Sequence, residues 1–207
     1  SQTSGWAIDM NRAETVEGGM HTLMQRHPDM FYMNAARIEH GLSMRIGQAE
    51  PPRFALTDFN VAPLDLTKAV VLQGASHIGK TQFAHAHFKF PLLVSELDDL
   101  KDISLRTDGI VFDQMSFTNG CDARSELNAD QCIKMLDIET SRSIGKRYHN
   151  AKIPRRMPRV FTTNRRIDYG DAIFPRGRNP ADPEGIDSRV RIMPRIEDDL
   201  HVHRGPK

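Results

Sequence analysis

The sequence predicts an α/β protein, a parallel sheet flanked by helices, preceded by a small helical domain. Three observations carry this expectation. From residue 69 onward, short apolar runs alternate with polar, helix-like stretches, the pattern of strands buried on both faces. Residues 8 to 48 instead repeat apolar positions at helical spacing. A length of 207 residues, 39% of them hydrophobic and 27% charged, suffices for one core with a small appendage.

Taken in order, HPDMFYMNAARIEHGLSMRI places Phe31, Ala35, Ile38 and Leu42 on one face of a helix. Pro28 suits its start and Gly41 is a weak point near its end. Residues 1–48 therefore read as a helical domain. The next stretch, GQAEPPRFALTDFNVAPLDL, has three prolines and no clean period, so residues 49–66 read as a linker. Residues 67–207 form the α/β domain, with strands at Ala69–Leu72, Pro91–Val94, Ile110–Phe112 and Val160–Thr162 and helices between them. The tail after Arg195 is polar and is expected to be loosely held.

Bulk properties exclude little. A net charge of +1 averages over strong local asymmetry. No apolar run is long enough to span a membrane. The opening SQTSGWAIDM has neither an initiator Met nor the regions of a signal peptide, so a piece of a longer chain is expected. Cys121 and Cys132 lack CxxC spacing; reduced thiols inside a cell are the expectation, with a disulfide left open.

The chemistry centres on AVVLQGASHIGKTQFAHAHF. Gly74 to Thr81 match G-x-x-x-x-G-K-[ST], and they fall where a phosphate loop must, after a strand and opening a helix. The backbone of Gly74, Ala75, Ser76, His77, Ile78 and Gly79 would curl so that its N–H groups face phosphates. Lys80 would reach the β and γ phosphates, and Thr81 would give its hydroxyl to Mg²⁺. ATP and Mg²⁺ are thus the expected cofactors. The bland alternative is a tight strand-to-helix turn with a surface lysine.

Turnover needs a metal-binding carboxylate on a neighbouring strand, and Asp113 follows the run Ile110–Phe112 directly. The next residue is Gln114, which orients a water without taking its proton. Another acid serves, or Gln114 positions the water alone, or a Glu has been replaced so that ATP is trapped; the sequence leaves these open.

From Arg142 to Arg166 there are nine Lys and Arg and no acid, a footprint suited to a nucleic-acid backbone. Ser143–Arg147 and Ala151–Pro154 flank Tyr148-His149-Asn150, a hairpin with a polar tip able to carry Lys and His to a phosphate strand. A solvated charged hairpin is the plain alternative. Beyond it MPRVFTTN reads as a strand ending in Asn164, placed to bond a γ-phosphate or the attacking water. GIDSRVRIMPRI then supplies Arg189 and Arg191, one of them a candidate arginine finger acting in a neighbouring subunit.

Together GASHIGKT, PLLVSELDDLKD, DGIVFDQMSF, YHNAKIPRRMPRVFTTN and IDSRV, in this order, resemble the superfamily 3 helicase domain of replication initiator (Rep) proteins from circular single-stranded DNA viruses and related plasmids. The resemblance runs from about Ala69 to Arg195. It implies an AAA+-like P-loop ATPase that hydrolyses ATP as a DNA helicase in rolling-circle replication. Gly74, Gly79, Lys80 and Thr81 match its Walker A positions, Asp113 its Walker B Asp, Asn164 its polar sensor and Arg189 its arginine finger. Lys146, Arg147, His149 and Lys152 fall in the hairpin that grips single-stranded DNA. The resemblance further implies a homo-hexameric ring held by residues 8–48, no membrane partner, and residence in the host nucleus for a eukaryotic virus or otherwise in the cytoplasm.

Departures accompany it. Gln114 stands where relatives have Asp or Glu, and GCDARSELNADQCIKML is long for its place. The family's N-terminal nickase, with a His-hydrophobic-His pair and a Tyr-x-x-Lys helix, is missing from this sequence. His85-Ala86-His87 lies on the phosphate-loop helix, where residues two apart diverge by about 200°, and His201-Val202-His203 sits in the polar tail. None of Tyr32, Tyr148 and Tyr169 has a Lys three residues later. Two rivals to the motor remain: a small-molecule or nucleoside kinase of P-loop type, and a non-catalytic scaffold that binds ATP for assembly.

Overall fold

A computed structural model of the chain describes residues 4–47, 51–114, 129–146, 149–164 and 189–201. The chain divides into two compact units. One comprises Ser1–Ala49 with Asp102–Thr107, the other Glu50–Lys101 with Asp108–Lys207.

The first unit is helical: α1 (Gly5–Arg12), α2 (Val16–Arg26) and α3 (Pro28–Ile46). The Thr15 side chain accepts from Gly18 N at 3.1 Å and caps α2. Pro28, with no N–H to continue the α2 ladder, takes the first position of α3. Leu23, Phe31, Ile38, Leu42 and Ile46 form the buried core, with Ala35 packed against it. The helix runs through Gly41 and ends at Gly47, so the expected weak point lies further along. Residues 102–107 finish this end: Ser104 Oγ donates to Ile46 O at 3.0 Å and Leu105 N to Met44 O at 3.0 Å, satisfying carbonyls that a helix terminus leaves open. Asp9 on α1 accepts from Arg26 at 3.1 Å and pairs with His27 at 3.0 Å, which ties α1 to the α2–α3 junction.

The second unit is built on a five-stranded, wholly parallel sheet of order β2-β3-β6-β1-β7. Its strands are β1 (Ala69–Gln73), β2 (Pro91–Val94), β3 (Gly109–Asp113), β6 (Arg159–Thr163) and β7 (Val190–Ile192). All four expected strands lie within it. β1 and β6 are buried along their whole length, as a continuous apolar run demands in a sheet covered on both faces. Helices α4 (Lys80–His85) and α5 (Ala129–Leu136) belong to the same unit. Phe83 and Ala84 of α4 pack with Val70, Leu72, Val111 and Val160 in the core.

Two segments differ from expectation. The linker is not free: Phe59 is 6% exposed and, with Phe54, Leu56, Leu64 and Leu66, packs on the sheet core. The tail after Arg195 is held as well. Ile196 bridges Gly74, Leu200 is 2% exposed, and His201 bridges Phe59 in antiparallel sense. In both places a few apolar side chains spaced among prolines or charges find the core.

A separate antiparallel pair, β4 (Arg142–Lys146) and β5 (His149–Ile153), forms the hairpin. Lys146 pairs with His149 and Gly145 with Asn150, so His149 and Asn150 belong to the strand rather than to the expected tip. Arg142 Nε donates to Asp137 at 2.9 Å beside the end of α5, anchoring the hairpin base. Among the described residues no helix is long and apolar enough to cross a membrane.

Candidate functional site

The carboxyl ends of β1, β3 and β6 lie side by side, and the register puts Gln73 beside Thr163 and Asp113 beside Thr162. Open α/β sheets take ligands at this edge. Residues 74–79 leave β1 as a loop and enter α4 at Lys80. Two glycines make the loop possible. Gly79 has φ +87°, and a Cβ there would lie 2.9 Å from His201 Nε2. A Cβ on Gly74 would lie 2.5 Å from Ile196 O. Between them Ala75 is half-buried, Ser76 and His77 are exposed and Ile78 is buried. His77 takes φ 63°, a left-handed conformation costly for a side-chain-bearing residue.

Lys80 is 5% exposed, and its ammonium gives its protons to neutral oxygens: Gly74 O at 3.2 Å, Ala75 O at 2.5 Å and Asn164 Oδ1 at 2.9 Å. Burial lowers its pKa, Asp113 opposes that, and Arg195 adds to it. Asn164, just past β6, also donates to Ser76 Oγ at 3.3 Å and so links the lysine to the loop.

Thr81 donates to Asp113 Oδ1 at 2.7 Å, and Thr162 donates to the same oxygen at 2.7 Å. A hydroxyl and a carboxylate held together at the end of this loop are oxygen donors of the kind Mg²⁺ takes alongside water, so Thr81 and Asp113 fit that ion. Among the described residues no three His, Cys, Asp or Glu side chains gather to hold a metal without such help. Gln114 follows with φ 53°, its side chain exposed and its N–H donating to Thr162 O at 3.0 Å.

The histidines near the loop are structural. His87 accepts from Leu64 N at Nε2 (2.8 Å) and gives Nδ1–H to Phe83 O (2.8 Å), a neutral ring whose pKa burial lowers. His85 is likewise pushed down by burial, with Asp113 opposing. His201 meets Gln82 Oε1 at 2.6 Å and packs against Phe54 and Phe59. His203 lies outside the described residues.

The remaining candidates sit elsewhere. Lys146 and His149 end the paired strands of the hairpin, Lys152 is exposed on β5 opposite Ser143, and Arg147 lies outside the described residues. Arg189 immediately precedes β7, whose Val190 is level with Ala69 at the start of β1. It therefore stands at the amino edge of the sheet, on the order of 13 Å of strand from its own loop. Arg191 pairs with Asp65 at 2.5 Å.

Sequence reasoning missed Thr162, which looked like a core strand residue, and Arg195, which belongs to no motif. It missed the packing of His201 on Gly79 because nothing local marks a contact across so many residues. Compared with models of known protein families and with curated proteins, the chain matches none.

Proposed function

We propose that this chain is a P-loop ATPase of the superfamily 3 kind, an ATP-driven motor that tracks along single-stranded DNA as a homo-hexameric ring. One observation carries the reading: Lys80 with Asn164, and Thr81 with Asp113, meet at one loop at the carboxyl edge of a parallel sheet. A structural turn has no use for a buried lysine whose protons rest on backbone carbonyls. A nucleotide does, because phosphate oxygens are better acceptors for that ammonium.

In this reading the triphosphate lies along residues 74–79 and Lys80 exchanges Gly74 O and Ala75 O for phosphate oxygens. Asn164 then serves the reaction through its amide, donating N–H to the γ-phosphate or accepting at Oδ1 from the attacking water. Thr81 and Asp113 would hold Mg²⁺, which would supply charge neutralisation at the phosphates. Gln114 orients the water without acting as a base. Arg189, remote from its own loop, serves the loop of a neighbouring subunit. The hairpin residues Lys146, Arg147, His149 and Lys152 grip the DNA backbone, so binding is sensitive to salt and indifferent to sequence.

The test is ATP hydrolysis per subunit across a range of protein concentrations, with and without single-stranded DNA. Specific activity that rises with concentration and responds to DNA supports shared sites in a ring. Flat activity that ignores DNA favours a kinase-like enzyme with its site inside one chain. Lys80→Ala serves as the background control.

A further inference from the structure

β7 does not end the ladder beside β1. Met193 N donates to Val71 O at 2.9 Å and Ile196 N to Gln73 O at 2.9 Å, and Ile196 bridges Gly74. Arg195 is thereby carried along β1 to the point where the phosphate loop begins. Its Nε pairs with Glu197 at 3.1 Å, a carboxylate whose side chain is 71% exposed. Its NH1 is buried and, among the described residues, has no hydrogen-bond partner. A charged donor held out of water without an acceptor is unfavourable and calls for an explanation.

Lys80 supplies it. Lys80 donates to Gly74 O at 3.2 Å, and Gly74 is the residue that Ile196 bridges, so the two cations flank the start of the same loop. Among the described residues the acid facing Lys80 is Asp113, and its Oδ1 already accepts from Thr81 and Thr162. Like charges brought together in a partly buried place destabilise the protein unless an anion joins them. The protons of Lys80 rest on neutral oxygens and the NH1 of Arg195 meets no acceptor among the described residues, so both gain when phosphate arrives.

We propose that Arg195 is a phosphate contact within its own chain: with Lys80 it receives the terminal phosphate of the bound nucleoside triphosphate. This rests on the nucleotide-binding reading above and extends it. Arg189 requires a neighbouring subunit to reach a nucleotide; Arg195 does not, so it sets affinity for the triphosphate even in an isolated chain. It thereby gives the loop a preference for ATP over ADP before any ring assembles.

The experiment compares equilibrium binding of Mg·ATP and Mg·ADP by the full chain, by Arg195→Met and by Arg195→Lys, at concentrations where the protein is monomeric. Arg195→Met is expected to bind ATP roughly tenfold or more weakly, the loss of a charge-assisted hydrogen bond, while ADP changes little. Arg195→Lys is expected to recover part of the preference. Equal losses for the two nucleotides, or an unchanged preference, would overturn the proposal. Should Arg195→Met fail to melt cooperatively, Arg195→Gln takes its place, with the same expected loss and the same overturning results. A wild-type chain that binds neither nucleotide sinks the nucleotide reading itself, and this proposal with it.

Discussion

Asn164 stands between Lys80 and Ser76, accepting from the ammonium at 2.9 Å and donating to the hydroxyl at 3.3 Å. The amide is neutral, and that is its use: it holds the lysine without cancelling its charge. An acid in its place would form an ion pair and compete with phosphate for the same cation. Asn164→Asp is therefore expected to weaken ATP binding about tenfold, and more than Asn164→Ala does. Asn164→Ala should cost roughly 100-fold in hydrolysis with binding little changed. Equilibrium binding and single-turnover hydrolysis of the two variants check this; an alanine variant that binds worse than the aspartate variant contradicts it.

Gln114 holds a left-handed conformation immediately after Asp113. Side chains pay for that geometry, and glycine does not. Gln114→Gly is expected to stabilise the protein by about 0.5–1 kcal/mol in denaturant melts while lowering ATP hydrolysis. Gln114→Glu keeps the strain and adds a base, so turnover should rise. If Gln114→Glu turns over more slowly than wild type, the amide has a task that a carboxylate cannot perform.

Lys152 is exposed on β5, opposite Ser143. Lys152→Ala is expected to leave hydrolysis without DNA intact, to weaken single-stranded DNA binding, and to reduce the slope of log affinity against log salt by roughly 0.7. An unchanged slope in a salt titration would remove Lys152 from the interface.

Asp65 gives a pH test of the second unit. Hydrogen bonds from Thr67, then from Arg191, hold its carboxyl down to about 2 against an ordinary 3.8. A depressed carboxyl contributes stability above its unfolded value and loses it as the pH falls toward the folded one. Wild type should melt above Asp65→Asn at pH 5, and the two curves should converge between pH 4 and about 2. Added salt should narrow the gap, because the Arg191 partner is well exposed.

Much of this architecture was legible in the sequence because its signals are local. Ala69–Leu72 and Val160–Thr162 are apolar runs, and the structure extends them only to Gln73 and to Arg159 and Thr163. The loop from Gly74 to Gly79 announces itself by spacing, and the place of Asp113 at a strand end by following an apolar run. What was not legible depends on few residues acting at long range. Phe59 lies among prolines and Leu200 among charges, so no window around either looks like core. β7 is three residues long with Arg191 at its centre, which hides it from any count of apolar residues. Arg159 is wholly buried although it opens β6, its guanidinium donating to Asp137 O at 3.0 Å; burial brings its pKa down to about 10. Composition marks such a residue as surface.

The bridge between Phe59 and His201 places the flank that leads into the sheet beside the flank that leaves it, with Asn60 N donating to Leu200 O at 3.0 Å. His201 touches Gly79, and Leu200 N donates to Ile78 O at 3.0 Å. A mechanical load on either flank thus reaches residues 74–79 through two or three bonds, by shearing a strap rather than stretching a sheet. Under the proposed nucleotide-binding function, tension becomes a variable of affinity alongside concentration, and a force-clamp experiment pulling on this unit would read the grip of the loop directly.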